Sequence, residues 1–191
     1  MGGSLKYRSV RHRRHARSAG FTLLELLTAL GIVAIALALG IPSYSHITAS
    51  NRAAAEVNSL FGDMQYARAE AIRQGENIVL CVSTNGMTCD AASTAWNQGW
   101  IICSDPTPVT NNCANGQALW RRQPAFTSTD TFNADNATSL LIFNREGFAV
   151  LPNPVTVTLH DATANSSFTR CVRIERSGTV STQSAGVQNC T

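Results

Sequence analysis

Hydrophobic and polar positions divide this 191-residue chain into three textures. From Phe21 to Ile41 the residues are apolar or small, and Glu25 is the only charged side chain among them. About 21 residues at a rise of 1.5 Å give roughly 30 Å of helix, the thickness of a bilayer hydrocarbon core. From Tyr44 to Gln74 the pattern turns periodic: Ile47, Ala54, Val57, Phe61, Met64, Ala67 and Ala71 recur, after a first step of seven, at three- and four-residue steps. This predicts an amphipathic helix with one apolar stripe, ending at Gly75 as a C-cap. The whole helix from Phe21 then spans about 54 residues, or roughly 80 Å. Gly31, Gly40 and Gly62 permit close helix approach, and Pro42 is the expected place for a bend.

Past Gly75 the texture is short β-type runs separated by Asn, Gly, Pro, Ser and Thr. Strands are predicted at Asn77 to Ser83, Gly99 to Ser104, Ala118 to Gln123, Ser139 to Asn144, Phe148 to Leu151, Val155 to His160, Thr169 to Glu175 and Thr179 to Ser181. Val155-Thr156-Val157-Thr158-Leu159 alternates as a strand with one buried face does. The expected class is α+β, a long N-terminal helix packed on one antiparallel β-rich domain of two small sheets. No internal repeat or long linker divides that domain.

Before the apolar run stand Lys6, Arg8, Arg11, Arg13, Arg14 and Arg17, with no acidic residue. Positive charge on that side holds the N-terminal end in the cytoplasm and sends the rest across the membrane. An ordinary secretory signal, cleaved at Ala36-Leu37-Ala38, is one reading of this arrangement. It leaves Glu25 unexplained, because an ionised group inside a membrane helix costs a few kcal/mol and normally has a partner.

Gly20-Phe21-Thr22-Leu23-Leu24-Glu25 resembles the class III signal of type IV pilins and type II secretion pseudopilins. The resemblance implies that a prepilin peptidase cuts after Gly20 and methylates the new amine of Phe21. It also implies that Glu25 pairs with the N-terminal amine of a neighbouring subunit and that Pro42 is a helix-kinking proline. A buried ion pair that loses one member is penalised by several kcal/mol, so such a pair acts as a register device for assembly. The implied organisation is a leader over 1–20, a transmembrane and filament-core helix over 21–41, the amphipathic half over 42–75 and a periplasmic domain over 76–191. Implied partners are the inner membrane, other minor pilins, the major pilin, the prepilin peptidase and the inner-membrane assembly machinery.

Cleavage would reverse the sign of the chain. The precursor carries 15 basic and 12 acidic side chains, a net of +3. Removing the six basic residues of the leader leaves nine against twelve, a net of −3. A general attraction to nucleic acid or acidic lipid is therefore not expected of the mature chain; a local patch would have to supply it.

Six cysteines, Cys81, Cys89, Cys103, Cys113, Cys171 and Cys190, lie beyond the apolar segment. An even count in an exported domain reads as disulfides, and six cysteines allow fifteen full pairings. Local closure is the expected one: Cys81 with Cys89, Cys103 with Cys113, Cys171 with Cys190. Zinc is the competing reading, but no CxxC or CxxH pair occurs. No cofactor is expected.

Tyr66-Ala67-Arg68-Ala69-Glu70-Ala71-Ile72, Val79-Leu80-Cys81, Trp96, Gly99-Trp100-Ile101-Ile102 with Asp105, and Ile142-Phe143-Asn144-Arg145-Glu146-Gly147 make the chain most similar to the FimT/FimU and GspH group of minor pilins and pseudopilins. The plain physical reading of Trp96, Trp100 and Trp120 is core packing. Some members of the group bind DNA through a basic Gly-Arg-x-Arg signature. Here the matching stretch is Arg176-Ser177-Gly178-Thr179-Val180-Ser181, with Thr179 and Ser181 where arginines would stand. Arg170, Arg173 and Arg176, with Arg121 and Arg122, are the residues left for a small basic face, with Arg173 and Glu175 on one side of a strand by parity. Strand arginines also serve as anti-aggregation residues.

Arg52 and Glu56, one turn apart, read as a solvated pair. Catalysis is not expected: His12 and His15 lie in the leader, His46 just follows the apolar segment, and His160 beside Asp161 ends a strand. No G-x-S-x-G, H-E-x-x-H or phosphate-binding glycine loop occurs. The reading reached is a structural minor pilin acting in pilus initiation or at the tip; the alternatives are a DNA-binding minor pilin of transformation and a GspH-like pseudopilin of type II secretion.

Overall fold

The structure, a computed structural model, describes residues 20–104, 113, 119–187 and 190, and for residues 40–43 the backbone alone. Helix α1 runs Leu23–Gln74 and is followed by eight strands: β1 Ile78–Val82, β2 Gly99–Ser104, β3 Leu119–Pro124, β4 Thr131–Ala134, β5 Leu140–Phe143, β6 Val155–His160, β7 Arg170–Ile174 and β8 Val180–Ser184. The chain divides into two compact units at Ser43 and Tyr44. In the first, every described side chain is exposed, and the window of mean hydropathy 2.4 in α1 is long and apolar enough to cross a membrane.

In the second unit α1 buries Ala53, Val57, Leu60, Met64, Ala67 and Ala71. Their spacing alternates between four and three residues, the period of one helical face. The sequence stripe has this face correct at Val57, Met64, Ala67 and Ala71 and wrong at its start. Ile47 is 55% exposed, Ala54 and Phe61 flank the face, and Ala53 and Leu60 occupy it. Gly75 ends the helix at φ +70°, its N–H bonded to the Ala71 carbonyl at 3.0 Å, as a left-handed C-cap does. Gly31 and Gly62 face open space rather than a closely packed neighbour. Pro42 lies within α1, its side chain outside the described atoms.

The strands form two antiparallel four-stranded sheets, ordered β3-β2-β1-β5 and β4-β6-β7-β8. Leu80, Trp100, Ile102 and Leu141 of the first, and Phe132, Val157, Leu159 and Val172 of the second, join the α1 stripe in one core. The opposite face of the first sheet is apolar too: Val79, Cys81, Ile101 and Cys103 form a second cluster with Cys113. Trp96 and Trp100 are fully buried, while Trp120 is half-buried beneath the Arg73 guanidinium at 5.7 Å.

Strand β4 has no counterpart in the sequence reading. In Thr131-Phe132-Asn133-Ala134 only Phe132 is buried, and the polar, turn-forming neighbours hide so short a signal. Conversely, Phe148 to Leu151 forms no strand. One bridge joins Ala149 to Phe143, and the Ala149 N–H turns away to the Arg176 carbonyl at 3.1 Å. Strand β8 extends three residues beyond Ser181, and Ala118 lies outside the described residues.

Candidate functional site

The start of α1 is built by Thr22. Its Oγ1 accepts from the Glu25 N–H at 3.2 Å and its carbonyl from the Leu26 N–H at 3.1 Å. Thr22 is thus the N-cap, and Thr-x-x-Glu is the capping-box spacing. The Thr28 hydroxyl donates back to the Glu25 carbonyl at 3.0 Å. Phe21 is 82% exposed, and Leu23, Leu24, Leu26, Leu27, Leu30 and Ile32 follow it as an uncovered apolar surface. Among the described residues nothing pairs with the Glu25 carboxylate. A sleeve of exposed Leu and Ile carrying one carboxylate fits a lipid or helix-packed environment rather than water. Leader residues 1–19 lie outside the described residues; Gly20 is exposed.

The disulfides found are the local ones: Cys81–Cys89, Cys103–Cys113 and Cys171–Cys190. The first two stack on the outer face of the first sheet, with Cys81 Sγ 3.9 Å from Cys113 Sγ. The sulfurs of Cys81, Cys89 and Cys113 lie within 4.8 Å of one another, yet in disulfides they are not the thiolates that zinc requires. Cys190 ties the C-terminal turn to β7.

The five arginines proposed for a basic face are not brought together. In β3, Arg121 pairs with Ile102 on the core side and Arg122 with Ile101 on the other, because adjacent strand residues point to opposite faces. Arg121 then bonds Asp63 Oδ1 at 2.5 Å and lies over the Tyr66 ring at 4.6 Å, while Arg122 packs against Gly86. On β7, Arg170 and Arg173 point to opposite faces by parity. Arg170 donates to the Ser167 and Thr169 carbonyls at 3.0 and 2.9 Å. Arg173 is bound to Glu175 at 2.7 Å and to Thr156 Oγ1 at 3.2 Å. The parity reading therefore placed Arg173 beside its own counter-ion. Arg176, in the following turn, lines an open groove of about 480 Å³ with Phe148 and Val150.

The late motifs have structural work instead. Asn144 Oδ1 accepts from the Glu146 and Phe148 N–H groups at 3.2 and 2.8 Å, closing a turn with Gly147 at φ +81°. Gly178, the glycine of the broken signature, sits at φ +78° directly against the Gly147 carbonyl. His46 packs on the Phe168 ring at 4.6 Å, His160 faces Thr169 Oγ1 at 3.4 Å, and Asp161 accepts from the Thr163 and Asn165 N–H groups at 3.2 and 2.7 Å.

Arg52 and Glu56 are not a solvated pair. Arg52 makes a bidentate bond to Asp130 at 2.7 and 2.8 Å, and Asp130 is 1% exposed. Glu56 is 8% exposed and accepts from the Ser128 hydroxyl at 2.7 Å. Helical spacing brought the two together in the sequence reading; their long-range partners carry no local signal.

The sequence profile of the family described as type II transport protein GspH matches residues 56–178. The chain belongs to the GspH family. A second profile, the prokaryotic N-terminal methylation motif, matches residues 15–41 of this GspH-family chain. Together they make it a minor pilin or pseudopilin, a structural subunit of a type IV pilus or of type II secretion. Its apolar N-terminal helix is the anchoring and assembly element of such subunits. A search of curated proteins finds no match. Among solved structures, the type IV minor pilin FimU of Pseudomonas aeruginosa matches at a TM-score of 0.58 and 21% identity, over 74% of this chain and 96% of that one. A second crystal form of FimU matches at 0.55 and 21%, over 72% and 98%. The minor pseudopilin EpsH of Vibrio cholerae matches at 0.48 and 12%, over 70% and 98%. The FimU likeness shows the shared pilin fold.

Proposed function

We propose that this GspH-family chain is a structural, non-catalytic minor pilin that acts in initiating a type IV pilus or at its tip. The observation that carries this reading is the exposed apolar surface from Phe21 to Leu39 with Glu25 as its only charge. In this account a prepilin peptidase cleaves after Gly20 and methylates Phe21. The subunit then waits in the inner membrane through 21–41, with its β-rich unit in the periplasm. On extraction into the filament, Glu25 meets the amine of a neighbouring pilin, and the apolar surface exchanges lipid for other helices.

The arginines weigh against nucleic acid as the main partner. Arg121 and Arg173 are neutralised by Asp63 and Glu175, and the five point to different faces, so no row of free cations tracks a phosphate backbone.

Deletion of the encoding gene, scored for surface pili, twitching, transformation and protein secretion in one strain, tests the proposal. Lost pili and twitching support it. Normal piliation with lost transformation supports the DNA-binding reading, and normal piliation with lost secretion supports a pseudopilus.

A further inference from the structure

Glu56 stands apart from the other acidic side chains among the described residues of the globular unit. Its Oε1 accepts from Ser128, but Oε2 is buried with no hydrogen-bond partner. A buried carboxylate oxygen without a partner is costly when ionised and far less so when protonated. The charges around it sharpen the problem. Asp130, from the β3–β4 connection, takes a two-pronged bond from Arg52, a guanidinium that also attracts Glu56 and, from the end of β6, Asp161. Three carboxylates thus share one cation. His160, paired in register with Thr131, turns its ring to Thr169 rather than to this cluster.

We propose that Glu56 is a proton-operated latch between α1 and the β3–β4 connection. Protonated, it leaves Arg52 wholly to Asp130 and keeps its Ser128 contact free of repulsion from the Asp130 carboxylate. Ionised, it competes with Asp130 for Arg52 and loosens the segment from Ser128 to Phe132 on the helix. Burial raises the Glu56 carboxyl above its ordinary range; the Ser128 bond works in the opposite direction, Asp130 adds to the rise, and Arg52 opposes it. A carboxyl raised in the folded state erodes stability as pH climbs from its unfolded value, about 4.3, through its folded one, and the loss then stays constant.

The test is thermal unfolding of the full mature chain in detergent micelles from about pH 4 to about pH 8, wild type against Glu56→Gln. The two should melt together at the acid end. With rising pH the variant should gain on the wild type, reaching about 3 °C or more near neutrality. A second readout needs no variant to fold: amide exchange at 128–132 in the wild type, corrected for the intrinsic pH dependence, should accelerate over the same range. A melting difference that does not change with pH, a variant less stable than wild type at neutral pH, or amide protection that holds steady would each overturn the latch.

Discussion

Arg68 Nε donates a 2.9 Å hydrogen bond to the Gly147 carbonyl, and the same guanidinium reaches the Ser177 carbonyl at 3.5 Å. One α1 side chain therefore fastens the turn after β5 to the β7–β8 turn. The two turns belong to different sheets, so this contact helps fix how the sheets meet over the helix.

Gly178 is the member of that junction with no freedom to change. A Cβ there would collide with the Gly147 carbonyl, at a backbone φ of +78°. Gly178→Ala should cost about 2–4 kcal/mol. Gly75→Ala, at φ +70° but facing open space, should cost only about 1 kcal/mol. Urea unfolding of the two variants side by side measures the gap; equal losses would show that the junction is not tightly packed.

Asp63 and Arg121 differ in the same way. Asp63 Oδ2 accepts from the buried Trp100 Nε1 at 2.8 Å, while Arg121 is half exposed. Asp63→Ala strands an indole N–H and should cost about 1–3 kcal/mol. Arg121→Ala removes only the half-exposed member of the pair and leaves Asp63 its bond from Trp100, so it should cost less, about 1 kcal/mol. Denaturant midpoints for both variants check the order.

These contrasts show which parts of the molecule were legible in the sequence. The apolar run, the β2 and β6 boundaries and the Gly75 cap each depend on neighbours within a few residues, and the chain displays them directly; the one-sided alternation of β6 fails at Thr156, which is buried and bonded by Arg173. Fold class follows from their order. Thr131 to Ala134 was hidden because an edge strand needs only one buried residue, Phe132. The Arg121–Asp63 and Arg52–Asp130 bonds join residues 58 and 78 positions apart, a separation no local periodicity reports. Arg121 and Arg122 are adjacent on β3 and so point to opposite faces, and strand pairing decides that Arg121 is the one on the core side; a shared basic face does not survive this.

Ala137 holds φ +53° in the exposed turn between β4 and β5, a left-handed conformation that strains any residue with a Cβ. Ala137→Gly should stabilise the fold by roughly 0.5–1 kcal/mol, the released strain exceeding the extra entropy of the unfolded chain. A raised melting temperature is the expected readout; a lowered one would contradict the strain argument.

Asp161 should give the opposite pH signature to Glu56. Burial disfavours its charge, but the Thr163 hydroxyl, the Asn165 and Thr163 N–H groups and Arg52 outweigh that and hold its carboxyl below the ordinary range. Its contribution is therefore complete above the unfolded value of about 3.9 and disappears as pH falls through the folded one. The stability gap between wild type and Asp161→Asn should stay level at mildly acid and neutral pH and narrow below about pH 4. A gap that widens on acidification would reverse the sign.

Everything proposed about assembly depends on what happens at Gly20 and Phe21. Intact-mass and N-terminal peptide analysis of the protein recovered from membranes of the native host reads this directly. The account predicts a mature chain beginning with N-methylated Phe21, with Glu25 retained four residues later. A chain beginning at Leu39 would show conventional signal-peptide removal, with the assembly helix lost, and would contradict it.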